Sequence, residues 1–162
     1  IYTGEDTLSL HDALPICDPS GLLARTLPVP KGGSTPNSNM TVDAHGLLNF
    51  DASPVASAKM YGDVGVDVAV NGADWVYQAK DAAAATALVN AIVAQMQANG
   101  PVTESVPNLP GSACRKDTNK YSGNSEFTCE AARGRYEFCL FGNTLKDAQQ
   151  KAAAQYLMLG AA

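Results

Sequence analysis

Glu126-Phe127-Thr128-Cys129-Glu130-Ala131-Ala132-Arg133-Gly134-Arg135-Tyr136-Glu137-Phe138-Cys139-Leu140-Phe141 is the stretch that decides the fold. Two runs with apolar and aromatic residues, 126–131 and 135–141, flank Arg133-Gly134. That arrangement predicts an antiparallel hairpin whose register the residues leave open. Directly after it, Thr144-x-x-Asp147 forms an approximate capping box for a helix running to Leu159, with Gly160 at its C-cap. Leu145, Ala148, Ala152, Tyr156 and Leu159 fall near one face of that helix, and Lys146, Gln149, Gln150 and Lys151 are expected to face water.

The same plan is legible upstream. Val66, Val68 and Val70 alternate with Asp67 and Ala69, the period of a half-buried strand. Asn71-Gly72 is a strong hairpin signal, and Trp75-Val76-Tyr77-Gln78-Ala79 supplies the return strand. Asp81 then opens a long helix to Asn99-Gly100, in which Ala85, Leu88, Val89, Ile92 and Met96 make one apolar stripe. After Asp81 this helix has no charge, which predicts a close-packed core helix; a groove for a lipid or partner helix is the functional rival. Further elements are expected at Gly46 to Phe50 and Ser112 to Lys116 as strands, and from Ser53-Pro54 to Gly62 or Gly65 as a short helix. The order predicts an α+β fold, an antiparallel sheet built from hairpins with helices packed mainly on one face.

Residues 1–16 resemble a translated sequencing linker and are set aside as a non-native leader. A lipobox ending at Cys17 is opposed by Glu5 and Asp6 where bases are needed, by the lack of an apolar run, and by bulky Ile16 before the cysteine. Residues 17–41, punctuated by Pro28, Pro30, Gly32-Gly33 and Pro36, read as a loop-rich linker, and 42–162 as a single α+β domain. Setting the leader aside removes Glu5, Asp6 and Asp12 and no base, so the full chain's net charge of −5 becomes 13 acids against 11 bases. Such a balance excludes a nucleic-acid surface, since Arg115-Lys116 with Lys120 is the only basic cluster. No apolar run reaches the roughly 18 residues of a membrane span.

Four cysteines allow three pairings. Cys114 and Cys129 lie in polar, turn-rich surroundings, and their bridge would close a loop of about fifteen residues, worth roughly 3 kcal/mol. They are the expected disulfide. Cys139, inside Tyr136-Glu137-Phe138-Cys139-Leu140-Phe141, reads as a small buried apolar side chain or a spare thiol, and Cys17 is left unassigned. Neither C-x-x-C nor H-x-x-x-H spacing occurs, so no metal ligand is named.

No catalytic or cofactor-binding residue is assigned either. After the leader the chain holds one histidine, His45, and no G-x-S-x-G elbow; Gly111-Ser112 and Gly123-Asn124-Ser125 sit in loops without that context. Glu126, Glu130 and Glu137 could fall near one another on the second hairpin, but the plainer expectation is a solvated strand face balanced by Arg133 and Arg135. Asp81 and Asp147 stand at helix beginnings, where the free amides suffice to explain an acid. Gly62-Asp63-Val64-Gly65-Val66-Asp67 is neither a dinucleotide nor a calcium loop. Trp75, Tyr77, Tyr136 and Phe138 are expected in the core rather than as a stacking platform.

Several segments carry a resemblance. They are Asp18-Pro19-Ser20-Gly21-Leu22-Leu23-Ala24-Arg25-Thr26-Leu27, Gly65-Val66-Asp67, Val76-Tyr77-Gln78-Ala79-Lys80-Asp81-Ala82 and Leu109-Pro110-Gly111-Ser112-Ala113-Cys114. Arg135-Tyr136, Asp147-Ala148-Gln149-Gln150 and Ala153-Ala154-Gln155-Tyr156 complete the set. Together they resemble the C-terminal domain of an uncharacterised two-domain lipoprotein family of mycobacteria and related actinomycetes. The resemblance implies an N-terminal domain upstream, a lipidated cysteine before it, and residence on the outer side of the plasma membrane. It also matches Cys114 and Cys129 to the family's cysteine positions, whereas Cys139 departs from the pattern.

Two functions follow as expectations. The first is a non-catalytic cell-envelope domain that binds a protein, lipid or cell-wall ligand and meets the membrane only through the upstream anchor. The second is part of an envelope hydrolase whose site is shared with the N-terminal domain, with His45 or the hairpin acids contributing.

Overall fold

A computed structural model describes residues 22, 25–27, 40–43, 67–71, 74–98, 104–118, 123 and 125–160. Outside them lie the leader, Cys17, His45, Lys120, the strand expected at 46–50 and the helix expected from Ser53. The described elements are β1 (Met40–Asp43), β2 (Asp67–Asn71), β3 (Asp74–Gln78), α1 (Ala82–Ala98), β4 (Ala113–Thr118), β5 (Ser125–Arg133), β6 (Tyr136–Gly142) and α2 (Leu145–Leu159). The strands form one sheet in the order β1-β2-β3-β6-β5-β4, antiparallel at every pairing. The class is α+β, as expected.

Each hairpin is set by local chemistry. Arg133 pairs with Tyr136, so Gly134-Arg135 is a two-residue loop one position later than the dipeptide singled out in the sequence. Gly134 has φ +56° and Arg135 is not in the left-handed region, the pattern of a turn with glycine first. Asn71 pairs with Asp74, which sets the register of β2 and β3. At the start of α1, Asp81 Oδ1 accepts a hydrogen bond from the Ala84 amide at 2.7 Å. At the start of α2, Thr144 Oγ1 accepts one from the Asp147 amide at 3.1 Å, while Asp147 Oδ2 accepts from the Asn143 amide. Asp81 and Thr144 therefore satisfy amides that a helix N-terminus leaves open, and Asp147 holds the residue before the α2 cap.

The two helices lie on opposite faces of the sheet. Ala148, Ala152 and Leu159 of α2 pack with Val76, Cys129, Ala131, Phe138 and Leu140. Ala84 and Ala85 of α1 pack with Ala79, and Ala132 lies against them. Ala131 and Ala132 are successive residues of β5 and so point to opposite faces. Gathering the helices mainly on one face, as the element order suggested, is thus corrected: the face read as solvated is the one that carries α1. Strand position explains why. β3 and β6 are the two central strands, and Glu137, Phe138, Cys139 and Leu140 are buried in succession.

Two segments outside the expected elements complete the α2 side. Leu22, within the stretch read as linker, is fully buried in that core with Val106 and Leu109. Gln155 holds the neighbouring chain: its Oε1 accepts from the Leu27 amide at 2.9 Å and its Nε2 donates to the Arg25 carbonyl at 2.6 Å. β1 also begins inside that stretch, at Met40. Its four residues are too short for an alternation signal to stand out from the Pro- and Gly-rich run before it.

Candidate functional site

Glu137 is opposite Ala132 and Tyr77, and Glu130 is opposite Cys139, so one face of adjacent strands brings Glu130, Glu137 and Cys139 together. All three are buried: Glu137 is 0% exposed, Glu130 3% and Cys139 8%. Ala132, beside Glu137, carries the N-terminal turn of α1, so the carboxyl groups lie on the sheet face that this helix packs against. Expecting these acids on a solvated strand face is therefore overturned. Their supposed counterions are engaged elsewhere. Arg133 stacks its guanidinium over the Tyr156 ring at 4.3 Å and donates to the Tyr156 carbonyl, and Arg135 Nε donates to the Ala79 carbonyl.

The electrostatics of this cluster follow from its burial. No amide, hydroxyl or cationic donor reaches either oxygen of Glu137 or Oε2 of Glu130. A carboxylate so placed would lose its hydration without replacement, so burial pushes Glu137 well above the ordinary glutamate range, and the adjacent Glu130 charge pushes it further. Burial raises Glu130 as well. Its shift is opposed by hydrogen bonds from Glu137 and the Cys139 thiol and by the charge of Arg115. Arg115 and Glu130 are diagonal neighbours on β4 and β5, since Ala113 is the residue opposite Glu130. The consistent arrangement has Glu137 protonated and donating to Glu130, with Cys139 as a second donor to the same carboxyl. Cys139 is itself held well up by burial and by the two glutamates, so it persists as a thiol and not as a nucleophilic thiolate.

The third hairpin acid is elsewhere. Glu126 lines a shallow pocket with Phe141, Gly142, Asn143, Asp147 and Lys151 at the start of α2. Lys151, expected to face water, donates to the Phe141 carbonyl at 2.7 Å and pairs with Asp74 at 3.4 Å. Asp74 is nonetheless pushed upward, burial outweighing the Phe141 amide and the lysine. Gly142 allows β6 to approach α2 here, because a Cβ at that position would lie 2.9 Å from Ala148 Cα.

Cys114 and Cys129 are directly opposite in the β4–β5 register, bonded through sulfur with Cα atoms 4.1 Å apart, and both are fully buried on the α2 face. The loop before β4 packs over them through Val106 and Leu109. Ser112 is consumed in holding that loop: its Oγ accepts from the Val106 amide at 2.8 Å and donates to the Leu109 carbonyl at 2.7 Å. The four aromatic residues divide between faces. Trp75 and Tyr77 stack at 6.1 Å on the α1 side, while Tyr136 lies under Arg25 and Phe138 fills the α2 core. Neither pair leaves one continuous platform. Among the described residues no group of three or more His, Cys, Asp or Glu is arranged to hold a metal, and no helix is long and apolar enough to cross a membrane.

Residues 22–162 match the model of a family described as Domain of unknown function (DUF7373) C-terminal. No curated protein and no solved structure matches the chain.

Proposed function

We propose that this chain, which belongs to the DUF7373 C-terminal family, is a non-catalytic extracytoplasmic domain of a lipid-anchored envelope protein that works by binding a protein, lipid or cell-wall ligand. The buried Cys114–Cys129 bridge carries this reading. Disulfides persist in oxidising compartments, and one placed in the core belongs to the folded architecture and not to a transient redox cycle. The resemblance to actinomycete lipoproteins supports an anchor upstream, and the non-native leader is part of the same reading.

A binding role is favoured over hydrolysis by what has become of the candidate groups. A hydrolase acid must reach substrate and water. Glu130 and Glu137 reach neither, being buried on the sheet, and the Ser112 hydroxyl is occupied by its own loop.

The test uses the complete protein in its native host. Envelope fractions should contain it with a fatty-acid label, sensitive to external protease, and with Cys114 and Cys129 blocked to alkylation until reduced. Recovery in the cytosol with both thiols free would overturn the proposal. A hydrolytic activity of the complete protein that disappears in His45→Ala would replace it with the hydrolase.

A further inference from the structure

We infer that the proton shared by Glu130 and Glu137 locks α1 onto the sheet, and that losing it releases this helix locally while the α2 side stays folded. Two features of the molecule carry the inference. The first is the cluster itself: two carboxyl groups and a thiol on one covered face, with three carboxyl oxygens that no protein donor reaches. The second is the cover. From Ala82 to Ala98 the helix has no charged side chain, and it meets the sheet at Ala84 and Ala85, which pack with Ala79 and against Ala132. It can neither neutralise nor solvate a second negative charge.

The other groups facing the cluster do not change this. β4 contributes Arg115, whose guanidinium is already paired with Asp117 and whose Nε is buried without a hydrogen-bond partner. β3 contributes the Tyr77 phenol opposite Glu137, β6 the Cys139 thiol, and β5 the uncharged Thr128 beside Glu130. Among the described residues that act on the cluster, Arg115 is thus the one cation, shared between Asp117 and Glu130, and Asp74 adds a further negative charge on the Cys139 side. When Glu137 gives up its proton to solvent, a second carboxylate is left in an apolar slot, where an unpaired charge costs far more than it does in water. Admitting water is the available remedy, and it requires α1 to lift. The opening bares Ala84 and Ala85 together with both acids.

Amide hydrogen exchange on the folded chain between pH 5 and pH 9 tests this, after correction for base-catalysed intrinsic exchange. An opening that releases one proton grows about tenfold per pH unit between the open-state and closed-state pKa values. Protection of the α1 amides from Ala85 to Ala98 should fall by that factor per unit and stay below that of the α2 amides, which open only with the whole domain, and Glu137→Gln should make the α1 response flat. Protection of α1 that is independent of pH, α1 and α2 amides equally protected at every pH, or an unchanged slope in Glu137→Gln would each overturn the proposal. If that variant does not fold, the infrared carbonyl band of a protonated carboxyl decides on the unmodified chain. The band must persist above the pH at which a solvated glutamate has lost its proton and vanish as α1 protection is lost; its absence wherever α1 is still protected above that pH overturns the proposal.

Discussion

The two faces of this sheet are built from the same strands and stabilised by different physics. On the α2 side, Phe138, Leu140 and Val76 meet Ala148, Ala152 and Leu159 around a disulfide. The one fully buried polar side chain of α2, Gln155, has both its ends bonded. On the α1 side the buried polar groups are acids with unpartnered oxygens. Adjacent residues of β6 make the contrast plain: Phe138 and Glu137 are equally inaccessible, yet one is held by apolar burial and the other by keeping a proton. Burial alone therefore does not say whether a position stabilises; the state in which the group is buried does.

The apolar face is disrupted most by Phe138→Ala. It should destabilise the domain by about 3–5 kcal/mol, read from denaturant midpoints, because the void falls where α2 and the loop before β4 converge. Replacing Cys114 and Cys129 together by alanine should cost roughly 3 kcal/mol through the freed fifteen-residue loop, measured the same way. Gln155→Leu leaves the Leu27 amide and the Arg25 carbonyl without their partner inside the protein, and should cost about 1–3 kcal/mol.

Glu137→Gln should have the smallest effect near pH 4.5 and the most instructive one above it. A carboxyl whose pKa is raised on folding binds its proton more tightly in the native state. Its contribution is fully present below the unfolded value near 4.5 and is lost as the pH rises through the folded value. Stability of the unmodified chain should decline across that window. The glutamine variant, which keeps a donor toward Glu130 and has no proton to lose, should decline less. Chemical denaturation at a series of pH values checks the sign; a stability that rises with pH over the same window would contradict the assignment.

Much of the fold was legible. Asp81 and Thr144 announce their helices because capping is local chemistry, and the Cys114–Cys129 pair stood in the turn-rich surroundings that favour a bridge. What escaped was set by distant partners. Whether Glu137 faces water depends on β6 being central and on where α1 lands, and neither is encoded within six residues of Glu137. A signal was nevertheless present: Cys139 and Phe141 share the parity of Glu137, and a solvated face would carry few such residues. The uncharged α1 needed a surface, and this was the one left uncovered. Gln155 was hidden for a related reason, since its partners lie 128 and 130 residues away. His45, the remaining candidate, lies outside the described residues.

The covalent link between neighbouring strands also changes what proteolysis can do. A single cut anywhere between Cys114 and Cys129 leaves two pieces that cannot diffuse apart, with β4 still laced to β5 under its lid of Val106 and Leu109. Nicked molecules would migrate as one species until a reductant is added, so this stretch of polypeptide can be severed without the domain being dismantled.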